Sequence, residues 1–187
     1  MLLWIILAIV AVIAIYAIVA FNRLVRTRQM ASEAWSGIDV QLKRRSDLVP
    51  NLVDTVKGYA AHERGVLDEV TQLRGAARAV PSGDVARRAQ AEGALSAALG
   101  RLFAVSENYP DLKASANFLE LQKQLSDLEN ELQMARRYFN GAVRNQNVLV
   151  QSFPSGLIAG LFGFRQRDFF EVADADRAAP QVDLAPR

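Results

Sequence analysis

The sequence contains no cysteine and only one histidine, His62. The absence of cysteine excludes disulfides and thiolate metal sites, and it leaves the redox compartment undetermined. The sequence also has no HExxH pattern, no phosphate-binding glycine loop and no nucleophile elbow, which are the motifs that announce zinc, nucleotide and serine-hydrolase sites. We therefore expect no cofactor, no metal site and no catalytic residues.

Charge is absent from residues 1–21, "MLLWIILAIVAVIAIYAIVAF", and neither proline nor glycine interrupts this run. As a helix it would extend about 30 Å, which is enough to cross the hydrocarbon core of a bilayer. We predict that residues 1–21 form an uncleaved transmembrane anchor. The residues that mark it are Leu2, Leu3, Trp4, Ile5, Ile6, Tyr16 and Phe21.

Two other interpretations of this apolar run are a cleavable signal peptide and a buried core helix. A signal peptide carries a basic region before its apolar core and a small-x-small cleavage site after it, and we find neither pattern here. A core helix at the edge of a domain shows a polar stripe, and residues 1–21 have none. Both comparisons favour the membrane anchor.

Basic residues follow the apolar run immediately, at Arg23, Arg26 and Arg28. Because Lys and Arg near a span remain on the cytoplasmic side, we expect the N-terminus outside and residues 22–187 in the cytoplasm. The basic balance of the chain owes much to this cluster, so it does not predict a nucleic-acid partner. Membrane lipid is the partner that it predicts.

Beyond the anchor, apolar residues recur with heptad spacing. From Phe118 to Phe153, ten of eleven seam positions are apolar and Gln146 is the exception, which is typical of a long packed helix. A second seam runs from Val49 to Ala77, interrupted by Glu63. Proline- and glycine-containing breaks offer Ser82 or Asp84, and later Asp111 or Ser115, as helix N-caps.

These patterns predict an all-α fold, with helices over about 22–45, 48–79, 84–107 and 115–152. Short loops between long helices favour antiparallel neighbours, so we predict an up-and-down bundle of about four long helices over 22–170. The tail, 171–187, is polar and contains two prolines. We expect it to be extended or disordered.

The stretch from Glu33 to Glu63 concentrates charged and polar side chains around Pro50. A basic triplet suits the C-terminal end of one helix, and Asp47 suits the N-cap of the next. This pattern predicts a corner between two helices, although a single helix kinked at Pro50 is the competing interpretation. The residues of this candidate corner are Lys43, Arg44, Arg45, Asp47, Pro50, Asn51, His62 and Glu63.

His62 and Glu63 could form an acid–base pair, but neighbouring residues on a helix point in different directions. Glu63 also falls in the apolar seam. We therefore expect Glu63 to pair with a buried arginine, and His62 to be structural or solvated. The candidate arginines are Arg44, Arg137 and Arg144.

Four stretches resemble the LemA family of bacterial membrane proteins: "EAWSGIDVQLKRRSDLVPNLVDTVKGYAAHE", "ENYPDLKASANFLELQKQL", "ENELQMARRYFNGAVRNQN" and "FPSGLIAGLFGFRQRDFFEV". The resemblance covers about residues 20–180. It implies one N-terminal transmembrane helix, an outward-facing N-terminus in the bacterial inner membrane and a helical cytoplasmic domain. It implies no established activity. One related branch is associated with building magnetosome membranes, which implies a membrane-organising role by analogy.

The apolar segment from Phe153 to Phe164 is too short to span a bilayer. If the last long helix returns to the membrane, this segment would insert at the lipid interface beside basic residues. The alternative is that it caps the open end of the bundle. The candidate interfacial residues are Leu157, Ile158, Leu161, Phe162, Phe164 and Arg165, with Arg167 as a second headgroup contact.

The leading functional hypothesis is a non-enzymatic, membrane-tethered scaffold that assembles with its own copies or recruits a protein partner. The second hypothesis is an adaptor in envelope stress or signalling that binds one protein, such as a membrane protease or sensor, through the basic triplet Lys43, Arg44 and Arg45. An enzyme with a site near His62 is the third.

Overall fold

The computed structural model describes residues 1–60 and 62–171 of the chain. They form six helices: α1 (Leu2–Tyr59), α2 (Arg64–Ala79), α3 (Val85–Ser106), α4 (Pro110–Lys113), α5 (Ala116–Gln151) and α6 (Ser155–Leu161). The prediction of an all-α fold with a long apolar N-terminal helix is confirmed. The predicted tail, 171–187, lies outside the described residues except for Glu171.

Helix α1 is 58 residues long and continues through Pro50, so the predicted corner at Asp47 is wrong. Of the two interpretations, a single helix is the correct one. An interior proline costs about 3 kcal/mol, whereas each fully buried aliphatic side chain contributes about 1.5–3 kcal/mol. Val49, Leu52 and Val56 are all buried beside the proline, and their burial outweighs its cost. The helix instead ends at Tyr59, just after Gly58.

The chain divides into two compact units. The first unit contains Met1–Leu48 and Gln122–Phe169, and the second contains Val49–Leu121 and Phe170–Arg187. Helices α1 and α5 therefore supply residues to both units.

In the first unit, α1 and α5 pack in antiparallel directions. The ring of Trp35 lies 5.3 Å from that of Phe139, and Arg45 Nη1 lies 3.1 Å from Glu129 Oε2. As the α1 number rises by ten, its α5 partner falls by ten, which is the register of an antiparallel pair. The α5 side of this core is the predicted heptad seam, because Leu125, Leu132, Phe139, Ala142 and Gln146 are all buried.

In the second unit, α2 packs against α3. Buried side chains of α2, including Leu67 and Val70, and of α3, including Leu95 and Leu102, form this part of the core. The break between the two helices lies where it was predicted. Asp84 is its N-cap, because Asp84 Oδ1 accepts a hydrogen bond of 3.2 Å from the backbone N–H of Arg87.

The second predicted break contains a helix that the sequence patterns did not reveal. Pro110 begins the four-residue helix α4 rather than ending a helix, since proline suits the first helical position, where the missing N–H has no partner to lose. Ser115 directly precedes α5, and its carbonyl accepts the N–H of Leu119 at 3.0 Å.

Candidate membrane-proximal site

The N-terminal part of α1 is apolar and exposed. Side chains from Met1 to Val19 stand free of the packed core, and Val12 and Ile13 are 67% and 62% exposed. None of the most apolar 18-residue stretch of this helix is buried. By length and composition, it is the one helix in the described part of the chain that could cross a membrane. A core helix would be mostly buried, so that interpretation does not fit.

Burial on α1 begins at Ala20 and is complete at Leu24, which is 0% exposed. At this point Leu24 forms a cluster with Ala159 and Phe164. Phe21 and Val25 of α1 pack against the cluster, as do Leu149, Val150 and Ile158. The end of the predicted anchor is therefore in direct contact with the end of α5 and with α6.

The chain reverses direction between α5 and α6 through specific backbone contacts. Ser155 Oγ lies 2.8 Å from the carbonyl oxygen of Leu149 and 3.0 Å from that of Ser152. The following residue must be small, because a Cβ on Gly156 would lie 2.9 Å from the carbonyl oxygen of Val150. These contacts hold the first turn of α6 against the last turn of α5.

Helix α6 ends in a Schellman motif. Gly163 has a φ of 71°, a left-handed conformation that favours glycine. The N–H of Phe164 donates to the carbonyl of Ala159 at 2.9 Å, and the N–H of Gly163 donates to that of Gly160 at 3.4 Å. This turn brings the Phe164 ring back to the buried cluster, where it lies 5.8 Å from the ring of Phe21.

The predicted interfacial segment is consequently divided between two environments. Phe164 is only 7% exposed, with the guanidinium of Arg28 lying 5.0 Å from its ring centre, and Ile158 is half-buried. The expectation that these two face lipid is corrected, because the glycine turn and the cluster enclose them. The side chains that remain exposed form what we call the α6 apolar face: Phe153, Leu157, Leu161 and Phe162.

The α6 apolar face lies beside the end of the anchor. The rings of Phe162 and Phe21 are 4.8 Å apart and meet edge to face. Phe153, Leu157 and Leu161 follow at intervals of four residues, and Leu161 is 77% exposed. Leu157 and Leu161 of α6 lie about one turn apart and therefore point in the same direction, whereas Phe153 is exposed in the turn that precedes α6.

Residues after α6 are held by two amides of α5. Gln146 Nε2 donates to the carbonyl of Arg165 at 3.1 Å. Asn147 makes two bonds with Arg167, because its Nδ2 donates to the carbonyl and its Oδ1 accepts the N–H, both at 2.9 Å. The polar exception in the heptad seam, Gln146, therefore orders this segment, a role that its spacing alone did not reveal.

The two arginines of this segment have different environments. The Arg165 side chain is exposed, as a headgroup contact requires. Arg167 is half-buried, and its guanidinium donates to Ser32 Oγ at 3.1 Å. Burial, and then the charge of Arg28, lower the pKa of Arg167 from its usual value. The expectation that Arg167 reaches lipid is therefore corrected.

A groove of about 540 Å³ lies between α1 and α5, next to the end of the anchor. Three guanidinium groups line it, and two come from the predicted juxtamembrane cluster. Within residues 1–60 and 62–171, no carboxylate pairs with any of these three groups. The lining residues are Arg23, Arg26, Thr27 and Met30 of α1, with Arg144, Asn145, Val148 and Leu149 of α5. The sequence patterns did not identify Arg144 as a member of this site.

The predicted corner residues do not form one site. Arg45 is buried and donates to Glu129, whereas Arg44 is exposed and lies 3.9 Å from Glu131. Both residues lie within α1 and not at a helix end. The other corner residues on α1 are exposed or half-buried along the same helix: Lys43, Asp47, Pro50 and Asn51.

The turn between α1 and α2 contains His62 and Glu63. Glu63 Oε1 accepts a hydrogen bond of 2.9 Å from the hydroxyl of Tyr109, so the predicted pairing with Arg44, Arg137 or Arg144 is wrong. This hydrogen bond, followed by burial, raises the pKa of Tyr109 from its ordinary 10.0. His62 is exposed, and His62 and Glu63 do not come together in a common site.

Comparison with known proteins adds family information to this geometry. The model of the LemA family matches residues 34–184. The magnetosome protein MamQ of Magnetospirillum gryphiswaldense is 24% identical, over 87% of this chain and 70% of its own length. Protein LemA of Metamycoplasma hominis is 25% identical, over 83% of this chain and 71% of its own length. With the exposed apolar helix, these matches indicate a membrane-associated helical protein.

Proposed function

Since this chain belongs to the LemA family, we propose that it is a membrane-anchored helical scaffold at the cytoplasmic face of the bacterial inner membrane. The observation that carries this proposal is the continuity of α1. One helix passes from the exposed apolar residues into the packed core without a linker, so the anchor and the first unit share a rigid element.

The proposed topology is single-pass, with the N-terminus outside and residues 22–187 in the cytoplasm. Arg23, Arg26 and Arg28 support it, because they follow the apolar residues within the first two turns. Basic residues this close to a span favour the cytoplasmic side. Engineered cysteines would test the topology in intact cells, since the chain has none of its own. A cysteine at Gln29 labelled by an impermeant reagent from outside would contradict it.

We propose that the α6 apolar face rests in the interfacial layer of the same leaflet. Its contact with Phe21 supports this position, because Phe21 is the last residue of the proposed span. Exposed apolar groups next to a bilayer gain free energy by leaving water. Attachment by both the anchor and α6 would fix the tilt of the first unit on the membrane.

A fluorophore attached at Leu161→Cys tests this attachment in full-length protein reconstituted in vesicles. Lipid-bound quenchers should reduce its emission strongly, whereas the same fluorophore at Gln133→Cys should respond weakly. Gln133 is exposed on α5, at a level remote from the anchor by the antiparallel register. Equal quenching at positions 161 and 133 would contradict the proposal that α6 rests in the interfacial layer.

Scaffolding requires surfaces that bind other chains, and we propose self-association through α5. Met134 and Tyr138 are 55% and 59% exposed, and they lie about one turn apart on the exposed surface of α5. Oxidative crosslinking in native membranes should join two copies of a Tyr138→Cys variant. The adjacent Arg137→Cys variant is the control, since its side chain points about 100° away. Only monomer at position 138 would contradict self-association.

The adaptor hypothesis remains the second candidate because Lys43 and Arg44 are both exposed on α1. An adaptor would need a single protein partner and no assembly of its own. Electron microscopy of reconstituted vesicles separates the two functions. A scaffold should form ordered arrays or deform the vesicles unaided, whereas an adaptor should leave them smooth. In neither function do we propose a catalytic role for His62.

A further inference from the structure

We propose that the groove lined by Arg23, Arg26 and Arg144 binds the phosphate headgroup of an anionic phospholipid from the cytoplasmic leaflet. This inference rests on the proposed membrane anchoring and adds a ligand to it. We call these three residues the arginine groove.

The position of the groove along α1 matches the depth of lipid headgroups. Arg23 follows Phe21 by two residues, and Arg26 lies about 4.5 Å farther along the axis at 1.5 Å per residue. If the apolar residues before Phe21 occupy the hydrocarbon core, both guanidinium groups lie in the polar layer that begins at its edge. Arg144 joins them from α5, because it lines the same groove.

The charges of the groove are not neutralised by the described part of the protein. Farther along the same two helices, arginines are paired: Arg45 lies 3.1 Å from Glu129 and Arg44 lies 3.9 Å from Glu131. Within residues 1–60 and 62–171, no carboxylate forms an ion pair with any of the three groove arginines. Cations that share one groove repel each other, so an anion from outside would relieve an unfavourable interaction.

The chemistry of the lining favours a phosphate ester over a simple counterion. Guanidinium groups present planar pairs of N–H donors that match two phosphate oxygens. The amide of Asn145 adds a further donor, whereas Val148 and Leu149 form an apolar wall. Leu149 also packs against the cluster around Leu24. A polar end with an apolar wall toward the anchor suits a headgroup followed by its acyl chains.

Among the described residues, no carboxylate lines the groove, and this also distinguishes among lipids. A zwitterionic headgroup carries an amine or ammonium group, which would be repelled by three guanidinium groups. The headgroup of phosphatidylglycerol carries a net negative charge and has no such group. The groove volume of about 540 Å³ is within the range of about 300–1,000 Å³ that is usual for small-molecule sites. Phosphatidylglycerol is therefore the probe we choose.

The test uses the full-length chain in a neutral detergent, titrated with phosphatidylglycerol while lipid adducts are counted by native mass spectrometry. The decisive variant is Arg144→Gln. Arg144 is remote from the anchor in sequence, so this change leaves the charge cluster that governs topology intact. Loss of one charged hydrogen-bonding partner should weaken binding about tenfold. Arg137→Gln is the matched control, because Arg137 is an exposed arginine on the same helix outside the groove.

The expected result is a preference of the wild-type chain for phosphatidylglycerol over phosphatidylcholine that Arg144→Gln loses and Arg137→Gln keeps. Arg144→Lys, which preserves the charge, should keep part of this lipid preference. Equal binding of both lipids, or equal loss in both glutamine variants, would overturn the inference. So would inorganic phosphate that competes as well as the lipid, since the site would then be a free-phosphate site.

Two controls separate failure of this inference from failure of the proposed function. Circular dichroism and thermal unfolding establish that Arg144→Gln is folded. Alkaline extraction of native membranes then reports whether each variant is integrated. If the wild-type chain is integrated but shows no lipid preference, the groove inference fails and the scaffold proposal stands. If the wild-type chain is extracted as a soluble protein, the membrane proposal itself fails, and the inference fails with it.

Discussion

The arginine pairs of the second unit differ from the arginine groove of the first unit. In the second unit, Arg88 lies 3.1 Å from Glu92 in a buried pair, and Arg101 lies 2.5 Å from Glu69 on the surface. In the first unit, the arginine groove has no such partner in the described ranges. These arginines of the second unit are therefore neutralised by carboxylates of the protein, whereas no carboxylate within residues 1–60 and 62–171 pairs with the arginine groove of the first unit.

Apolar surface follows the same division. In the described part of the second unit, the large exposed apolar side chains are Tyr59 and Leu119. The first unit exposes the N-terminal stretch of α1 and the α6 apolar face. Exposed patches of this kind mark membrane or partner contacts in proteins. Together with the arginine groove, they make the first unit the one whose surface is suited to lipid.

The largest expected effect is the difference in stability between a core variant and a surface variant of the first unit. Phe139→Ala should lower the free energy of unfolding by about 3–5 kcal/mol, because Phe139 is buried and its loss leaves a cavity. Leu161→Ala, at an exposed position, should change it by less than about 0.5 kcal/mol in detergent. Denaturant unfolding of the full chain measures both. A comparable loss of stability at Leu161 would show that the α6 apolar face is packed. It would contradict the stated difference in exposed apolar surface between the two units.

The second prediction concerns the charge pairing of the second unit. Glu92→Ala removes the carboxylate that lies 3.1 Å from the buried Arg88, and it should cost about 3 kcal/mol of stability. Glu69→Ala disrupts the exposed pair with Arg101 and should cost about 0–1 kcal/mol. Thermal unfolding of the two variants at equal ionic strength gives the difference. Equal losses would mean that burial does not distinguish these pairs.

A smaller effect tests the junction between α2 and α3. Asp84→Ala removes the N-cap bond to Arg87 and should cost about 1 kcal/mol. Ser82→Ala is the matched control, because Ser82 is the other residue that the sequence offered as a cap and it is exposed. Its loss should be close to zero. A larger loss of stability in Ser82→Ala than in Asp84→Ala would identify Ser82 as the N-cap of α3.

The smallest effect concerns pH. The hydrogen bond to Glu63 raises the pKa of Tyr109 in the folded chain, so the folded state holds this proton more tightly than the unfolded state does. The resulting stability is present below the ordinary tyrosine pKa of 10.0 and is lost as pH rises through the higher folded value. Tyr109→Phe should therefore flatten the decline of stability above that pH. An unchanged decline would argue against the bond.

Much of this architecture could be predicted because it depends on local patterns. The heptad seam of α5 identified the buried face, and "VPSGD" identified the break that Asp84 caps. The exposed apolar run of α1 also followed from composition. Pro50 misled the prediction, since its local cost was judged without the burial of Val49, Leu52 and Val56.

The candidate site was predicted only in part. Arg23 and Arg26 were identified by their nearness to the apolar run, and Leu157, Leu161 and Phe162 by their apolar character. The burial of Phe164 depends on a left-handed turn at Gly163 and on a contact with Phe21. The bond between Glu63 and Tyr109 joins residues far apart in sequence, so no local pattern predicts it.

Sequence patterns alone were sufficient to predict that this protein is helical, where its apolar N-terminal run ends, and which face of α5 is buried. These properties follow from periodicity and from the hydrophobic effect, which act on neighbouring residues. The packing of α1 against α5 was needed to reveal that Arg144 joins Arg23 and Arg26, and which side of α6 stays exposed. Both depend on the antiparallel register of α1 and α5, and that register is set by contacts between residues more than eighty positions apart.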